Sequence, residues 1–286
     1  MYRVVNEYGE LKKVLVCEPD YLNIDEPINV VAEKYQQEGI DLQRAKRQHR
    51  GFVEALQGEG VEVILSETHD RYTYQVNTRD LGVTTSKGII FGRFLLPKHW
   101  GEHRLVEKTF AREGIPVFHK LTSGNFEGGD FVYIDHRRAA VGTGIRTDLL
   151  GIRGLRMALH DAQIELIPVD FHQQFLHLDM LFNVIAPRTA IICPEALPED
   201  FLALLARDDF TLIEISPKEA LEHGTNLLCL GGNRIISHNK IPNINRKLEE
   251  SGFHLIVLEL DELQKSGGGP RCMSFPLLRT EGNKGR

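Results

Sequence analysis

The run Gly267-Gly268-Gly269-Pro270-Arg271-Cys272-Met273-Ser274 places one thiol directly behind a glycine–proline turn near the end of the chain. A cysteine that serves packing usually sits inside an apolar strand or helix as a small hydrophobe. Cys272 stands instead at a turn beside Arg271, and a neighbouring cation favours thiolate, the nucleophilic form. His177-Leu178-Asp179 supplies an imidazole for proton transfer, and Cys with His is the usual pairing for covalent catalysis. Thr78-Arg79-Asp80 and Glu127-Gly128-Gly129-Asp130 add carboxylates. Asp80 and Asp179 in one pocket would raise each other's pKa unless a cation lay between them. The planar cation that carboxylates grip best is guanidinium, whose N–H groups match carboxylate oxygens in pairs. The set therefore reads as a thiol enzyme for guanidino compounds. Cys272 is its nucleophile and His177 its acid and base, while Glu127 compensates His177 or shares the cation. Taken singly, each motif has a plainer use: a turn ending on a buried cysteine, a solvated strand end, or a surface ion pair.

Two further arginines fit an amino-acid substrate. Arg93 in Gly92-Arg93-Phe94 and Arg146 in Gly144-Ile145-Arg146-Thr147 hold comparable places after a strand, and either could bind a carboxylate in an otherwise acidic mouth. A surface or helix-start arginine is the alternative.

What would bring such distant residues together is an internal repeat. Asp80, Asp130, Asp179, Asn226 and Cys272 each come just before an apolar segment, at intervals of 50, 49, 47 and 46 residues. Periods of this size mark propellers and related arrays. Within each interval the pattern reads strand, strand, helix, strand. For the first unit these are Leu81 onward, Gly88 to Phe91, Glu102 to Arg112 at helical spacing, and Ile115 to Phe118. Four units are complete. The fifth is split: a C-terminal strand from Met273 to Leu278 joins an N-terminal strand (Lys13 to Val16), a helix (Leu42 to Leu56) and a closing strand (Val61 to Leu65). The expected fold is an α/β, five-unit pseudo-symmetric propeller, closed by pairing of the N- and C-terminal segments and occupying residues 1–286 as one domain. Such a ring leaves no exposed sheet edge and gathers the pre-strand residues at one mouth. A doubly wound α/β sheet is the competing architecture.

Composition narrows the classes. With 42% hydrophobic residues in 286, the chain can build a substantial core. A net charge of −6 with no basic tract argues against nucleic acid as partner. The segment Met1 to Glu7 has no apolar signal region, and no apolar run approaches a membrane span. Cys17, Cys193 and Cys229 end or interrupt apolar runs and read as core residues. The four cysteines show no metal-type or disulfide-type spacing, which fits reduced thiols in a cytoplasmic protein. There is no close His pair or H-E-x-x-H for a metal, and no G-x-S-x-G elbow for a serine hydrolase. The reading calls for no metal and no cofactor, and it leaves a homo-oligomer open.

The four motifs, in this order from Asp80 to Cys272, resemble those of the pentein-fold guanidino-modifying enzymes. These include arginine deiminases, dimethylarginine dimethylaminohydrolases, amidinotransferases and arginine dihydrolases. The resemblance implies that Cys272 attacks the guanidinium carbon and His177 moves protons. It implies that Asp80, Asp179 and Glu127 line the guanidinium pocket, and that Arg146 grips the substrate's α-carboxylate, with Arg93 and Arg271 as weaker candidates. The chain has no room for the helical insertion of deiminases, so its size is that of the dimethylarginine enzymes. Those usually lack an acid at the position of Asp179, which suits an unmethylated guanidinium better. Asn77 stands where deiminases tend to carry an aromatic residue, and a polar residue there could support a second attack by water. The expected activity is deiminase-like: arginine, or a close derivative, to a ureido product (citrulline) and ammonia. Dimethylarginine hydrolysis is the nearest alternative, followed by arginine dihydrolysis, amidino transfer and non-enzymatic cation binding.

Overall fold

A computed structural model describes residues 2–280. Fifteen strands form five separate three-stranded sheets of one topology. The N-terminal strands β1 (Glu10–Val16) and β2 (Glu62–Leu65) are followed by β3 (Gly82–Thr85), β4 (Gly88–Phe91) and β5 (Val117–Lys120). Next come β6 (Phe131–Tyr133), β7 (Arg138–Gly142) and β8 (Glu165–Val169), then β9 (Phe182–Ala186), β10 (Thr189–Ile192) and β11 (Thr211–Glu214). The chain closes with β12 (Leu228–Gly231), β13 (Arg234–His238), β14 (His254–Leu258) and β15 (Phe275–Thr280). In every sheet the middle strand pairs antiparallel with one neighbour and parallel with the other. In four sheets the antiparallel pair is a hairpin; in the fifth it joins β1 to β15. The parallel pair needs a crossover, and a helix supplies it.

The crossover helices follow from apolar spacing. Glu102–Arg112 buries Leu105, Val106 and Phe110, and Leu149–Leu159 buries Ile152, Leu155 and Leu159. Asp148 caps the latter by accepting a hydrogen bond from Gly151 N at 2.7 Å. Leu42–Gly58, Glu199–Arg207 and Pro242–Glu250 do the same work in the other units.

The split unit forms by β15 pairing antiparallel with β1, Leu15 opposite Phe275, while β1 pairs parallel with β2. β15 starts two residues later than the expected Met273. Met273 N bonds Gly269 O at 3.1 Å and Ser274 N bonds Arg271 O at 3.1 Å, so local turn bonds keep the backbone out of the ladder until Phe275. Three short helices, Val30–Tyr35, Pro217–Leu221 and Asp261–Gln264, have no counterpart in the sequence expectations. Among the described residues no helix is long and apolar enough to cross a membrane. Cys17, Cys193 and Cys229 are buried and unpaired, as their apolar surroundings suggested.

Candidate active site

The chemistry-bearing residues sit on turns just before the first strand of each sheet. Thr78–Leu81, Gly128–Asp130 and Leu178–Met180 are single 3-10 turns ahead of β3, β6 and β9. Hydrogen bonds tie one turn to the next. Arg79 N donates to Cys272 O (2.9 Å), Leu178 N to Asp130 Oδ1 (3.0 Å) and Thr225 Oγ1 to Asp179 O (2.8 Å). Gly269 N and Cys272 N both donate to Asn226 Oδ1 at 3.0 Å. Two glycines are fixed by this crowding. A Cβ on Gly129 would lie 2.5 Å from His177 Nδ1 and 2.9 Å from Asp80 Oδ1. One on Gly268 would lie 2.4 Å from Asn77 Oδ1 and 2.9 Å from the Cys272 Cβ. The glycines of both motifs thus let the His177, Asp80, Asn77 and Cys272 side chains approach the backbone.

His177 lies between two carboxylates. Its Nε2 is 3.0 Å from Glu127 Oε2, and its Nδ1 is 3.6 Å from Asp80 Oδ1. Burial disfavours the imidazolium, but Asp80, Glu127 and Asp130 outweigh it and lift His177 to about 10. Glu127 is held below the usual carboxylate range: burial pushes it up, and the hydrogen bond and charge of His177, with Arg146, pull it further down. Asp80 is pushed up to about 6 by burial, against the pull of His177 and with the push of Glu127 and Asp179. Asp130 rises to about 7, again chiefly through burial.

The thiol faces the same carboxylates from the other side. Cys272 Sγ accepts from Asn226 Nδ2 at 3.0 Å and lies 3.9 Å from Asp179 Oδ2. Burial, then Asp179 and Asp80, push its pKa well above the ordinary thiol value. The expected assistance from Arg271 does not prevail. The Arg271 guanidinium is committed to Glu7, at 2.5 and 3.3 Å, and its Nε lies 3.3 Å from Asp179 Oδ2. This corrects a second expectation: buried and doubly paired, Arg271 has no guanidinium face left for a substrate carboxylate.

Asp80 Oδ1, Asp179 Oδ1 and Asn77 Oδ1 are buried acceptors with no hydrogen-bond partner in the protein. Leaving such atoms unmatched is costly, and three of them beside one thiol make a cradle for N–H donors. Arg146 lines a cavity of about 380 Å³ together with Ile28, Leu95, Ile145 and Gln174. Its Nη2 donates to Ile28 O at 2.8 Å and its Nη1 lies 3.5 Å from Glu127 Oε1. Arg93 is not brought to this group. It donates to Gly124 O and Asn125 Oδ1 and lines a separate outer groove with Trp100.

Asn226 has the most direct contact with the sulfur, yet its sequence signal was only its phase in the repeat. Asp80, Glu127 and His177 offer donor atoms within 4.8 Å of one another, close enough to hold a metal ion. The 3.0 Å His177–Glu127 contact is instead a hydrogen-bond geometry that a proton on Nε2 satisfies, which suits an acid–base pair.

The sequence model of the family described as "N,N dimethylarginine dimethylhydrolase, eukaryotic" matches residues 18–279. An uncharacterised protein of Bacillus subtilis, YkgA, is 36% identical over 275 residues, covering 96% of this chain and 94% of its own. The fold is similar to the N-terminal domain of ArgZ bound to product, described as an arginine dihydrolase from the ornithine-ammonia cycle in cyanobacteria. There the TM-score is 0.82 and the identity 22%, with 96% of this chain and 98% of that one covered. It is also similar to a DDAH from Pseudomonas aeruginosa complexed with citrulline, at TM-score 0.77 and 23% identity, covering 93% and 99%. With the family match spanning nearly the whole chain, the protein belongs to the N,N-dimethylarginine dimethylhydrolase family, within the pentein superfamily of guanidino-modifying enzymes.

Proposed function

We propose that this protein hydrolyses the guanidino group of arginine, or of a close unmethylated derivative, through a covalent intermediate on Cys272. The observation that carries the reading is the pair of buried carboxylate oxygens without a hydrogen-bond partner, Asp80 Oδ1, 3.6 Å from the His177 imidazole, and Asp179 Oδ1, on the carboxylate that faces the thiol. A guanidinium between them gains charge-assisted hydrogen bonds at both oxygens. Methyl groups on its terminal nitrogen would remove donors from one of them. In this reading the five sheets form a closed ring around the site, and residues 1–286 act as one catalytic unit.

The resting site holds a protonated imidazole and a neutral thiol. A cation about 4 Å from sulfur, at an effective dielectric of about 20, is worth roughly 4 kcal/mol, or about three pKa units on the thiol. Substrate entry thus releases the thiol proton to solvent, and thiolate attacks the central carbon. His177 donates its proton to the departing amine, and the C–N bond breaks. The product of this half-reaction is a thiouronium on Cys272. Neutral His177 then takes a proton from water as the water attacks. The C–S bond breaks, the second water proton returns to sulfur, and the ureido product leaves. Glu127 stabilises the imidazolium, and Asn226 holds the sulfur in line. Arg146 is the candidate for the substrate carboxylate.

The match to the dimethylarginine family favours a second reading, release of dimethylamine from dimethylarginine. A panel of arginine, dimethylarginine and agmatine, followed by mass spectrometry of products, separates the two. Arginine giving citrulline and ammonia at the highest kcat/KM is the expected result. Preferential turnover of dimethylarginine would replace it with the second reading, and ornithine in place of citrulline would show a second hydrolysis, with Asn77 as the group to test.

A further inference from the structure

Beneath the sulfur runs a buried ionic chain that this scheme leaves unused. Glu7 lies in the N-terminal segment ahead of β1 and is 4% exposed. Its Oε2 receives Arg271 Nη1 at 2.5 Å, and its Oε1 receives Tyr133 N at 3.1 Å and Arg271 Nη2 at 3.3 Å. Arg271 Nη2 also donates to Phe131 O at 2.9 Å. These contacts fix the guanidinium in one plane. Its remaining Nε then lies 3.3 Å from Asp179 Oδ2, the oxygen that faces Cys272 Sγ at 3.9 Å. Glu7, Arg271, Asp179 and Cys272 thus form one buried line from the N-terminal segment to the sulfur.

One positive charge in this line is divided between two carboxylates. Glu7 draws on Arg271 strongly enough that its own carboxyl is held at about 2, against burial, chiefly by Arg271 and then Arg79. The other charges around the line are Arg79 and Arg279 beside Glu7, and His177 and Asp80 on the mouth side of Asp179 and the sulfur. Without the negative charge of Glu7, the whole of Arg271 acts on Asp179. Its carboxylate becomes a poorer partner for an incoming cation, and the sulfur sits in a less negative field.

We propose that Glu7 is a positioning residue of the reaction: it anchors and partly neutralises Arg271, so that Asp179 keeps an oxygen and its charge available to the substrate guanidinium. This rests on Cys272 being the nucleophile and Asp179 a guanidinium ligand. Two full-length variants test it, Glu7→Gln and the double change of Glu7 and Arg271 to Met, which swaps a buried ion pair for apolar groups. Each is measured for KM and kcat with arginine, and for the rate of iodoacetamide alkylation at Cys272, mapped by peptide mass, at pH 8.5. That rate follows the thiolate fraction. Glu7→Gln should raise KM about tenfold, change kcat less, and speed alkylation about tenfold, because one negative charge is gone. The double variant removes the nearer positive charge as well, and should slow alkylation about tenfold. Simple loosening of the fold would speed both. Faster alkylation in Glu7→Gln together with slower alkylation in the double variant supports the proposal, as does slower alkylation where only the double variant folds or, where only Glu7→Gln folds, faster alkylation with an unchanged thermal melt; the reverse pattern overturns it. Unchanged rates, or shifts of the same sign in both, overturn it. Turnover by Cys272→Ser would instead overturn the underlying reading of the site.

Discussion

The two ends of the five sheets solve opposite problems. At the β6–β7 hairpin end, polar groups are matched. Asp135, in the turn between β6 and β7, accepts from Arg137 N at 2.7 Å and Arg138 N at 2.9 Å, and pairs with the Arg138 guanidinium, which also reaches Asp208. At the other end, Asp80, Asp130 and Asp179 each keep a buried oxygen without a hydrogen-bond partner, and burial raises their pKa values. The first end is arranged for stability. The second carries strained electrostatics, which is where perturbed titrations mark function. Substitutions at the mouth should therefore remove activity at little cost in stability, and substitutions at the hairpin end should do the reverse.

The largest effect should come from Cys272→Ser. Turnover of arginine should fall by about 10⁴-fold or more, with an unchanged thermal melt. Asp179→Asn or Asp80→Asn removes one side of the cation cradle. Steady-state kinetics should show kcat/KM reduced by about 10²- to 10³-fold.

The pH profile comes next. Asp80 must be ionised to bind a cation, and its pKa is about 6, so kcat/KM should rise as pH increases through that region. His177 must carry a proton for the leaving amine, and its pKa is about 10, so activity should fall as pH passes that value. In Asp80→Asn the acid limb at about 6 should vanish from the residual activity. Its persistence would assign that limb to another group.

The smallest effect belongs to the hairpin end. Asp135→Ala should cost about 1 kcal/mol, a fall in melting temperature of about 2 to 4 °C, with kcat/KM unchanged. Lost activity there would erase the contrast between the two ends.

Much of this contrast was legible in the sequence. Near-constant spacing from Asp80 to Cys272 marks turns that the structure brings together, with Cys272, His177, Asp80, Glu127 and Asp179 among them. The five repeated sheets and the pairing of β1 with β15 agree with that reading. What escaped it depended on side-chain direction. Arg271 is adjacent to Cys272 in sequence, yet its guanidinium turns to Glu7, 264 positions away. Asn226 carried the repeat's phase but no chemical signal, because an amide that binds both a sulfur and two backbone amides resembles any turn asparagine. The short helix Pro217–Leu221 was missed despite its signature, since Ser216 and Glu219 form a reciprocal capping box. Five residues are too few to show an apolar period.

The most direct test of the central claim is to trap the intermediate. Enzyme mixed with arginine and quenched in acid within the first turnovers should gain the mass of arginine less ammonia, the alkyl thiouronium, mapped to the peptide bearing Cys272 and absent from Cys272→Ser. Full turnover with no adduct on that peptide, or an adduct on Cys17, Cys193 or Cys229 instead, would contradict the account.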